Sequence, residues 1–317
     1  MNVAEIFNKM ANEYDEIRDL WYAWLFSRLH YSIASDIINK YDPKIVLDVG
    51  CGTGFQAFLH ASAGAFVVGI DIADKLIEVA KKKSLSFKPQ NEFILFPVHF
   101  KFVDKYNKLI GSILREKIQV NEYIPPSFQV ADARSLPFSN NSFDHVNCCG
   151  STLSFIEDHR LAISEIARVL KPGGTLLMEI EARWNLDLPW AVIDALLNGK
   201  IGFDTSLTEA LNAIFFAPGQ YIYTYYPFGE TENPVHMKLK LFTSKRLKQE
   251  LSDFQLETLR ICTVHSVTNF IPSTYLDMNN PPNWLKYFFT FLAKIEERIP
   301  ISLPGCSIIL LAQKMEI

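Results

Sequence analysis

Residues 45–54 of this chain read IVLDVGCGTG, an apolar run that leads into three glycines separated by single residues. The apolar run predicts a buried β-strand, and Gly50, Gly52 and Gly54 predict a tight loop directly after it. A helix-like stretch follows the loop. Glycine lets a ligand approach the backbone closely, and a helix N-terminus offers free N–H donors, so this order of elements is typical of a site for a nucleotide-type ligand.

A second strand is predicted over residues 65–71 (AFVVGID), and it ends in Asp71, 21 residues after Gly50. A carboxylate at this point can accept hydrogen bonds from both ribose hydroxyls of an adenosine. The dinucleotide fingerprint GxGxxG is not matched, because Phe55 stands where the last glycine would be. Asp48 would oppose a pyrophosphate but could hold a cationic amino group. The pattern therefore disfavours NAD.

The rest of the chain continues the alternation of strands and helices. This alternation predicts an α/β fold with a mostly parallel sheet covered by helices on both faces. Helices are predicted over residues 73–83, 159–170 and 244–251, and further strands over 127–132, 143–149, 175–181, 256–265 and 306–314, with the breaker cluster KPGG at 171–174.

The composition excludes several classes of protein. The 317 residues are 49% hydrophobic and carry 31 basic against 35 acidic side chains, which argues against broad binding to a nucleic-acid backbone. The five cysteines show no CxxC spacing, so neither a disulfide framework nor a zinc site is expected, and no metal site is predicted. No signal pattern and no apolar run near 18 residues is present, which predicts a cytoplasmic protein without a spanning helix.

These motifs resemble those of the class I S-adenosylmethionine (SAM)-dependent methyltransferases. The resemblance extends roughly over residues 42–182 and more loosely over 241–317. It implies a Rossmann-like, seven-stranded, mostly parallel sheet with an antiparallel last strand, SAM as the cofactor and S-adenosylhomocysteine as the product. The matching segments are 46–54, 68–71, Asp132-Ala133 with Leu136-Pro137-Phe138, Phe143-Asp144 and 169–174 (VLKPGG).

The resemblance also implies which residues contact SAM. The glycine loop, with Asp48 and Cys51, would wrap the methionine part, and the ends of the following strands would hold the adenosine and the sulfonium side. The implied contacts are Gly50, Gly52 and Gly54 for methionine, Asp71 for ribose, Ile72 for the adenine face, Asp132 and Ala133 for the adenine amino edge, and Cys149 and Gly150 for the sulfonium side.

In such relatives an N-terminal helical segment closes over SAM, and residues 1–41 are predicted to form this helical cover here. Tyr14, Trp21 and Arg28 are the candidates for this contact, the arginine for the SAM carboxylate. An equally good interpretation makes Trp21 a core residue and Arg28 a surface residue.

The methyltransferase domain over residues 42–317 contains two predicted insertions, 84–126 and 183–240. The second follows the fifth strand and is interpreted as the substrate lid. Its aromatic residues predict a small, hydrophobic or aromatic acceptor, because such side chains line most ligand pockets. Alternatively, these aromatics form the core of the lid or a subunit interface.

The segment after the fourth strand, residues 149–155 (CGSTLSF), lacks the Asn/Asp-Pro-Pro-Tyr/Phe motif of methyltransferases that act on DNA bases. A nucleic-acid substrate is therefore not expected. The segment resembles small-molecule methyltransferases, including glycine N-methyltransferase-like enzymes and ubiquinone/menaquinone C-methyltransferases. A quinone or lipid C-methyltransferase at the membrane surface and a non-catalytic SAM-binding protein remain the alternatives.

Three residues are candidates for a catalytic base. His265 ends a strand that is predicted to point toward the ligand edge, His236 lies in the lid, and Glu181 ends the fifth strand. Each of them also has an ordinary structural interpretation.

Residues 283–298 (NWLKYFFTFLAKIEER) form an aromatic amphipathic stretch with mixed charges. Such a helix can touch a membrane surface. Because Glu296 and Glu297 are counted on its polar face, packing against the lid is the preferred interpretation.

Overall fold

The strand predicted at residues 45–49 occupies the middle of a seven-stranded sheet in the computed structural model. The structure describes residues 3–16, 19–87, 100–118, 123–215, 222–226, 235–278, 280–299 and 303–316, without the side chains of 222–226 and 235–238. Its strands are β1 Ile45–Val49, β2 Phe66–Asp71, β3 Ser127–Val130, β4 Phe143–Cys148, β5 Leu170–Glu181, β6 Ile222–Tyr226, β7 Val235–Leu239, β8 Leu256–Val264 and β9 Ser307–Lys314.

The large sheet has the strand order β3-β2-β1-β4-β5-β9-β8. Strands β1 to β5 pair in parallel, and β9 runs antiparallel between β5 and β8. The predicted mostly parallel sheet with an antiparallel last strand is thus confirmed. The strand order reverses between β1 and β4, and ligands of such sheets bind in the crevice beyond the carboxyl ends of the strands at this point. Strands β6 and β7 form a separate two-stranded sheet.

Helices cover both faces of the sheet. They are α1 Val3–Met10, α2 Leu20–Ser32, α3 Phe55–Ser62, α4 Asp74–Ser86, α5 Lys101–Ile118, α6 Thr152–Phe155, α7 His159–Val169, α8 Asp187–Leu196, α9 Leu207–Phe215, α10 Ser244–Ser252, α11 Ser273–Leu276 and α12 Asn283–Arg298. Single 3₁₀ turns lie at Tyr14–Glu16 and Thr268–Phe270, and α2 continues into a π-helical segment at Ile33–Ile38.

The central strands are buried because they lie between helices on both faces. All of β1 after its first residue is buried, as expected for a strand of a parallel sheet. The breaker cluster KPGG follows the end of α7 at Val169, as predicted, but it already belongs to β5, which begins at Leu170 and not at residue 175. Gly173 adopts a φ of +75°, which allows the chain to pass directly from the helix into the strand.

One face of the sheet is covered by α2, α5 and α12. The indole of Trp24 on α2 is fully buried and contacts the rings of Phe102 and Tyr106 on α5 and Phe289 on α12. The described part of the predicted insertion 84–126 is therefore mainly a helix of the core. The apolar stretch at residues 93–96 lies outside the described residues.

The second predicted insertion contributes α8, α9 and the backbone of the β6-β7 hairpin. The side chains of its tyrosine-rich run, residues 221–226, lie outside the description, as does Phe216. Within the described ranges, no helix has the length and apolar character needed to cross a bilayer. All five cysteines are free thiols.

Candidate functional site

The glycine loop after β1 folds against the end of β2. The N–H of Gly50 donates to the Ile70 carbonyl at 2.8 Å, and the three glycines of the loop have φ values of +70°, +53° and +91°. Side chains of other types rarely adopt this conformation. A Cβ at Gly50 would lie 2.1 Å from Oγ1 of Thr152, which follows β4. Glycine at this position therefore lets two strand ends meet.

Asp71 ties this loop to the end of β2. Its Oδ2 accepts from the N–H of Gly52 at 2.9 Å and its Oδ1 accepts from the N–H of Ala73 at 2.8 Å. Burial raises the pKa of this carboxyl above its usual range. The adjacent Ile72 is 46% exposed, although it follows a buried strand. Asp71 thus presents carboxylate oxygens, and Ile72 an apolar surface, beside the loop.

Asp48 is buried at the end of β1 with one oxygen uncompensated. Its Oδ1 accepts from Asn147 Nδ2 at 2.8 Å, while Oδ2 has no hydrogen-bond partner among the described residues. Burial, with the nearby charge of Asp71, raises its pKa to about 7. Cys51, also in this loop, is buried and donates to the Gly52 carbonyl at 3.7 Å. This oxygen without a partner could accept a hydrogen bond from the ammonium group of SAM. The carboxylate of Asp71 could accept hydrogen bonds from its two ribose hydroxyls. The residues present therefore fit this cofactor.

The N-terminal segment lies directly over the loop. The Tyr14 ring is 3.5 Å from the position of a Cβ at Gly52. Next to it, Asp15 accepts from Thr53 Oγ1 at 2.5 Å and from Lys83 Nζ on α4 at 2.8 Å. The segment therefore contacts both the glycine loop and the helix that follows Asp71.

The other two residues of the predicted cover have different surroundings. The Trp21 ring stacks on the His265 ring with centroids 3.8 Å apart. Arg28 donates to Tyr106 Oη on α5 at 3.0 Å and lies over the Trp24 ring. The structure thus brings Tyr14 to the glycine loop, and it places Trp21 and Arg28 in the packing between α2, β8 and α5.

Asp132 follows β3 at the same edge of the sheet as Asp71. Its carboxylate is paired with Arg134, with Oδ2 accepting from Nη2 at 2.6 Å, and this pair lowers the pKa of the carboxyl. Ala133 beside it is buried. A ligand at Asp132 would therefore share a carboxylate that already has a cationic partner.

The turn after β4 contains open space. Cys149 is buried and donates to Asn147 Oδ1 at 3.3 Å, whereas Gly150 is exposed with a φ of +73°. A Cβ at Gly150 would meet no atom within 4 Å. The fully buried Glu179 of β5 fixes this turn, because its Oε2 accepts from the N–H of Ser151 at 2.8 Å.

Glu181, at the end of β5, contacts the same turn. Its Oε1 accepts from Ser151 Oγ at 2.8 Å. Burial, together with the charge of Glu179, raises its pKa to about 8. A carboxyl with this pKa can take up a proton near neutral pH. The structure therefore brings Glu181 next to Gly150.

The two predicted histidine bases are placed differently. His265 is fully buried, its Nδ1 lies 2.9 Å from Thr268 Oγ1 and its Nε2 lies 3.1 Å from the Trp21 carbonyl. Burial lowers its pKa to about 4. His236 lies in β7 opposite Tyr225, and its side chain is outside the description. Of the three candidate bases, the described contacts connect Glu181 to the turn after β4.

Asp277 lies near three other carboxyls, those of Asp19, Asp187 and Glu181, and together these four side chains are called the acidic group. Asp19 caps α2 by accepting from the Tyr22 N–H at 2.7 Å, and burial raises its pKa to about 6. Asp187 accepts from Asn269 Nδ2 at 2.9 Å. Burial and the charges of the other three raise the pKa of Asp277 well above its usual range. No arrangement of His, Cys, Asp and Glu that could hold a metal ion occurs within the described part of the chain.

Sequence reasoning missed Asp19, Asp187 and Asp277, which come from three separate segments and carry no motif. Glu179 could have been noticed, because a charged residue within the apolar strand segment TLLMEIE requires a buried partner. Its role became clear only when the structure placed the N–H of Ser151 against it.

Known sequences match the part of the chain that contains the glycine loop and the parallel strands. Residues 47–178 match the family described as "Methyltransferase domain". The chain is 26% identical over 230 residues to a demethylmenaquinone methyltransferase of Symbiobacterium thermophilum, a match that covers 66% of this chain and 77% of the relative. It is 29% identical over 186 residues to the enzyme of the same name from Lactococcus lactis, covering 55% and 56% of the two chains. The family match contains the glycine loop, Asp71 and Asp132.

Solved structures share the fold. A SAM-dependent methyltransferase from Methanosarcina mazei superposes with a TM-score of 0.52 at 22% identity, over 89% of this chain and 98% of that one. The putative methyltransferase solved in complex with the Trm112 activator of Haloferax volcanii gives a TM-score of 0.51 at 13% identity, over 98% of both chains. At these identities the likeness concerns the fold.

Proposed function

We propose that this chain, a class I SAM-dependent methyltransferase, methylates a small hydrophobic acceptor whose ring carries a weakly acidic proton that Glu181 removes. The observation that supports this most directly is the contact of Glu181 with Ser151 beside the open space at Gly150. A proton acceptor and a space for the reacting groups then lie at one turn.

The cofactor part of the proposal rests on the loop. Asp48 Oδ2 is a buried carboxylate oxygen that can accept a hydrogen bond from an ammonium group. Asp71, at the end of the neighbouring strand β2, can accept hydrogen bonds from the ribose hydroxyls. Ile72 offers an apolar surface for adenine, and Tyr14 closes the site from above. Together these residues would hold the cofactor beside the turn at Gly150.

Bound SAM supplies a methyl group on a sulfonium sulfur, and the C–S electron pair stays with the sulfur of the product. The protein aligns the acceptor for in-line attack and excludes water, which accounts for much of the rate enhancement in such reactions. Glu179 fixes the Ser151 turn against β5. The Glu181 carboxylate takes the proton that the acceptor loses, and Ser151 Oγ orients this carboxylate by donating to it.

The acidic group and the relatives support this acceptor class. Burial raises the pKa values of Asp187 and Asp277, and a carboxyl that carries its proton can donate a hydrogen bond to a ring oxygen. A reduced quinone ring offers such oxygens and a removable hydroxyl proton. The curated relatives are named demethylmenaquinone methyltransferases, which supports an acceptor of this kind.

The test is the pH dependence of methyl transfer from labelled SAM to a demethylated quinol kept reduced. We expect the turnover number to rise about tenfold per pH unit and to level off near pH 8, where Glu181 becomes ionised. Glu181→Gln should lower turnover about 100-fold or more and flatten the profile, with SAM affinity unchanged. Glu257→Gln, at an exposed glutamate of β8, is the matched control.

If Glu181→Gln keeps both the rate and the profile, Glu181 is not the proton acceptor. The proposed acceptor class is wrong if the quinol is not methylated and the methyl label of SAM instead enters a protein or a nucleic acid of a cell extract.

A further inference from the structure

The outer face of α12 carries four exposed aromatic side chains. Trp284, Tyr287, Phe288 and Phe291 are 67%, 74%, 46% and 58% exposed, and their spacing places them on one side of the helix. The opposite side, which includes Leu285 and the fully buried Phe289, packs on α2 and α5. The inner face therefore packs on α2 and α5 and not on the lid as predicted, and the aromatic stripe points outward.

The two glutamates of α12 do not belong to this outer face. Glu296 accepts from the Trp24 indole at 2.9 Å and from the backbone N–H of Val267 at 2.8 Å. Glu297 accepts from Lys105 Nζ at 2.9 Å and from Tyr106 Oη at 2.8 Å. Both carboxylates thus bind groups of neighbouring segments of the protein. They do not place negative charge on the outer face, which was the reason for disfavouring membrane contact.

The charges beside the stripe are mainly positive. Lys294 and Arg298 are exposed and continue the aromatic side of α12 toward its end. The neighbouring helix α5 adds the exposed Lys101 and Lys108, with one exposed acid, Asp104, between them, while Lys105 is already paired with Glu297. A chain with a net charge of −4 thus presents a cationic border around an aromatic stripe.

We propose that α12 docks this protein on an anionic lipid surface, with the aromatic stripe in the interfacial layer and the cations against the headgroups. Trp and Tyr favour this layer, and helices with an apolar aromatic side and a basic border lie in its plane. Docking does not depend on the proposed acceptor. It would nevertheless bring Asp277 of the acidic group, only seven residues before Trp284, close to the lipid.

A second copy of the chain fits this face less well. A two-fold contact through α12 would use the same patch on both copies and would bring the Lys294 and Arg298 side chains of both copies into one interface. An anionic surface instead complements them. Like charges thus oppose the first arrangement and opposite charges favour the second.

The test is co-sedimentation of the full chain with vesicles of phosphatidylcholine alone or mixed with phosphatidylglycerol. We expect binding to the anionic vesicles that weakens as salt screens the charges. Phe288→Ser should lower the partition coefficient roughly fivefold to tenfold. Phe66→Ser is the matched control, because Phe66 is 47% exposed at the start of β2 and should leave the partition coefficient unchanged.

Calorimetry with SAM shows whether each variant is folded. Absence of binding to anionic vesicles, or equal losses in the two phenylalanine variants, would overturn the proposal. So would a dimer in analytical ultracentrifugation that Phe288→Ser dissociates. None of these results affects methyl transfer to a detergent-dispersed acceptor, so the proposed function is tested separately.

Discussion

The cofactor side and the acceptor side of this site are built in different ways. On the cofactor side, the loop at residues 50–54 and Asp71 lie within 22 residues of sequence, and backbone N–H groups connect them. On the acceptor side, Glu181 belongs to a group that also contains the carboxyls of residues 19, 187 and 277, which come together through the tertiary fold. A local unit can keep its pattern across relatives, whereas a site assembled from distant segments can change its substrate by changes in any of them.

The largest expected effect compares a glycine on each side. Gly50 and Gly150 have nearly equal φ values, +70° and +73°, so alanine strains the backbone equally at both. A Cβ at Gly50 collides with Thr152, whereas a Cβ at Gly150 enters open space. We expect Gly50→Ala to lower the free energy of unfolding by about 2–5 kcal/mol, against about 1–2 kcal/mol for Gly150→Ala, measured by urea denaturation.

The ligand readouts should separate the two variants further. Gly50→Ala should abolish SAM binding in calorimetry, and Gly150→Ala should keep SAM binding while turnover falls, because the new methyl group occupies the reaction space. Thr152→Gly in the Gly50→Ala background should restore part of the lost stability. Equal losses of stability in the two single variants would contradict the role given to Thr152.

The difference between the two sides also explains what could be predicted from sequence. The strands, the parallel order and the cofactor loop follow from apolar periodicity and glycine spacing, which are local signals. The acidic group could not be predicted, since Asp19 resembles an ordinary helix cap and Asp277 an ordinary loop residue. The inward direction of Glu296 was equally hidden, because its partners Trp24 and Val267 lie far from each other in sequence.

The two sides should respond to acid in opposite directions. Behind the cofactor loop, His60 on α3 is fully buried, both of its ring nitrogens lack partners among the described residues, and burial lowers its pKa to about 3. Its folded pKa lies below the ordinary value, so stability is lost as the pH falls below about 6.5. The pKa of Glu181 is raised, so its contribution to stability grows as the pH falls below about 8.

Removing His60 should therefore reduce the acid sensitivity of the fold. At about pH 4.5, two units below the ordinary histidine pKa, the neutral buried ring accounts for a loss of about 2.7 kcal/mol. We expect His60→Leu to recover most of this in urea titrations at pH 7 and 4.5. His60→Gln should also flatten the pH dependence of the free energy of unfolding, but it should not raise stability at pH 7, because the buried amide still lacks a hydrogen-bond partner. An unchanged acid limb in both variants would show that other groups control acid unfolding, such as the neighbouring His145.

The smallest expected effect concerns the cover over the cofactor loop. Asp15 joins the N-terminal segment to Thr53 of the loop and to Lys83 of α4, and both charged side chains are partly exposed, which limits their interaction to about 0.5–1 kcal/mol. Asp15→Asn should therefore accelerate SAM dissociation about twofold to fivefold in a stopped-flow displacement experiment. Asp42→Asn is the control, because Asp42 forms a similar pair with Lys44 just before β1, at the opposite end of the strand from the loop. Faster dissociation in Asp15→Asn alone would identify the cover as part of the cofactor side, since the contact that is weakened touches the loop and no residue of the acidic group. Equal rates in the two variants would mean that the contacts of Asp15 do not contribute to SAM retention.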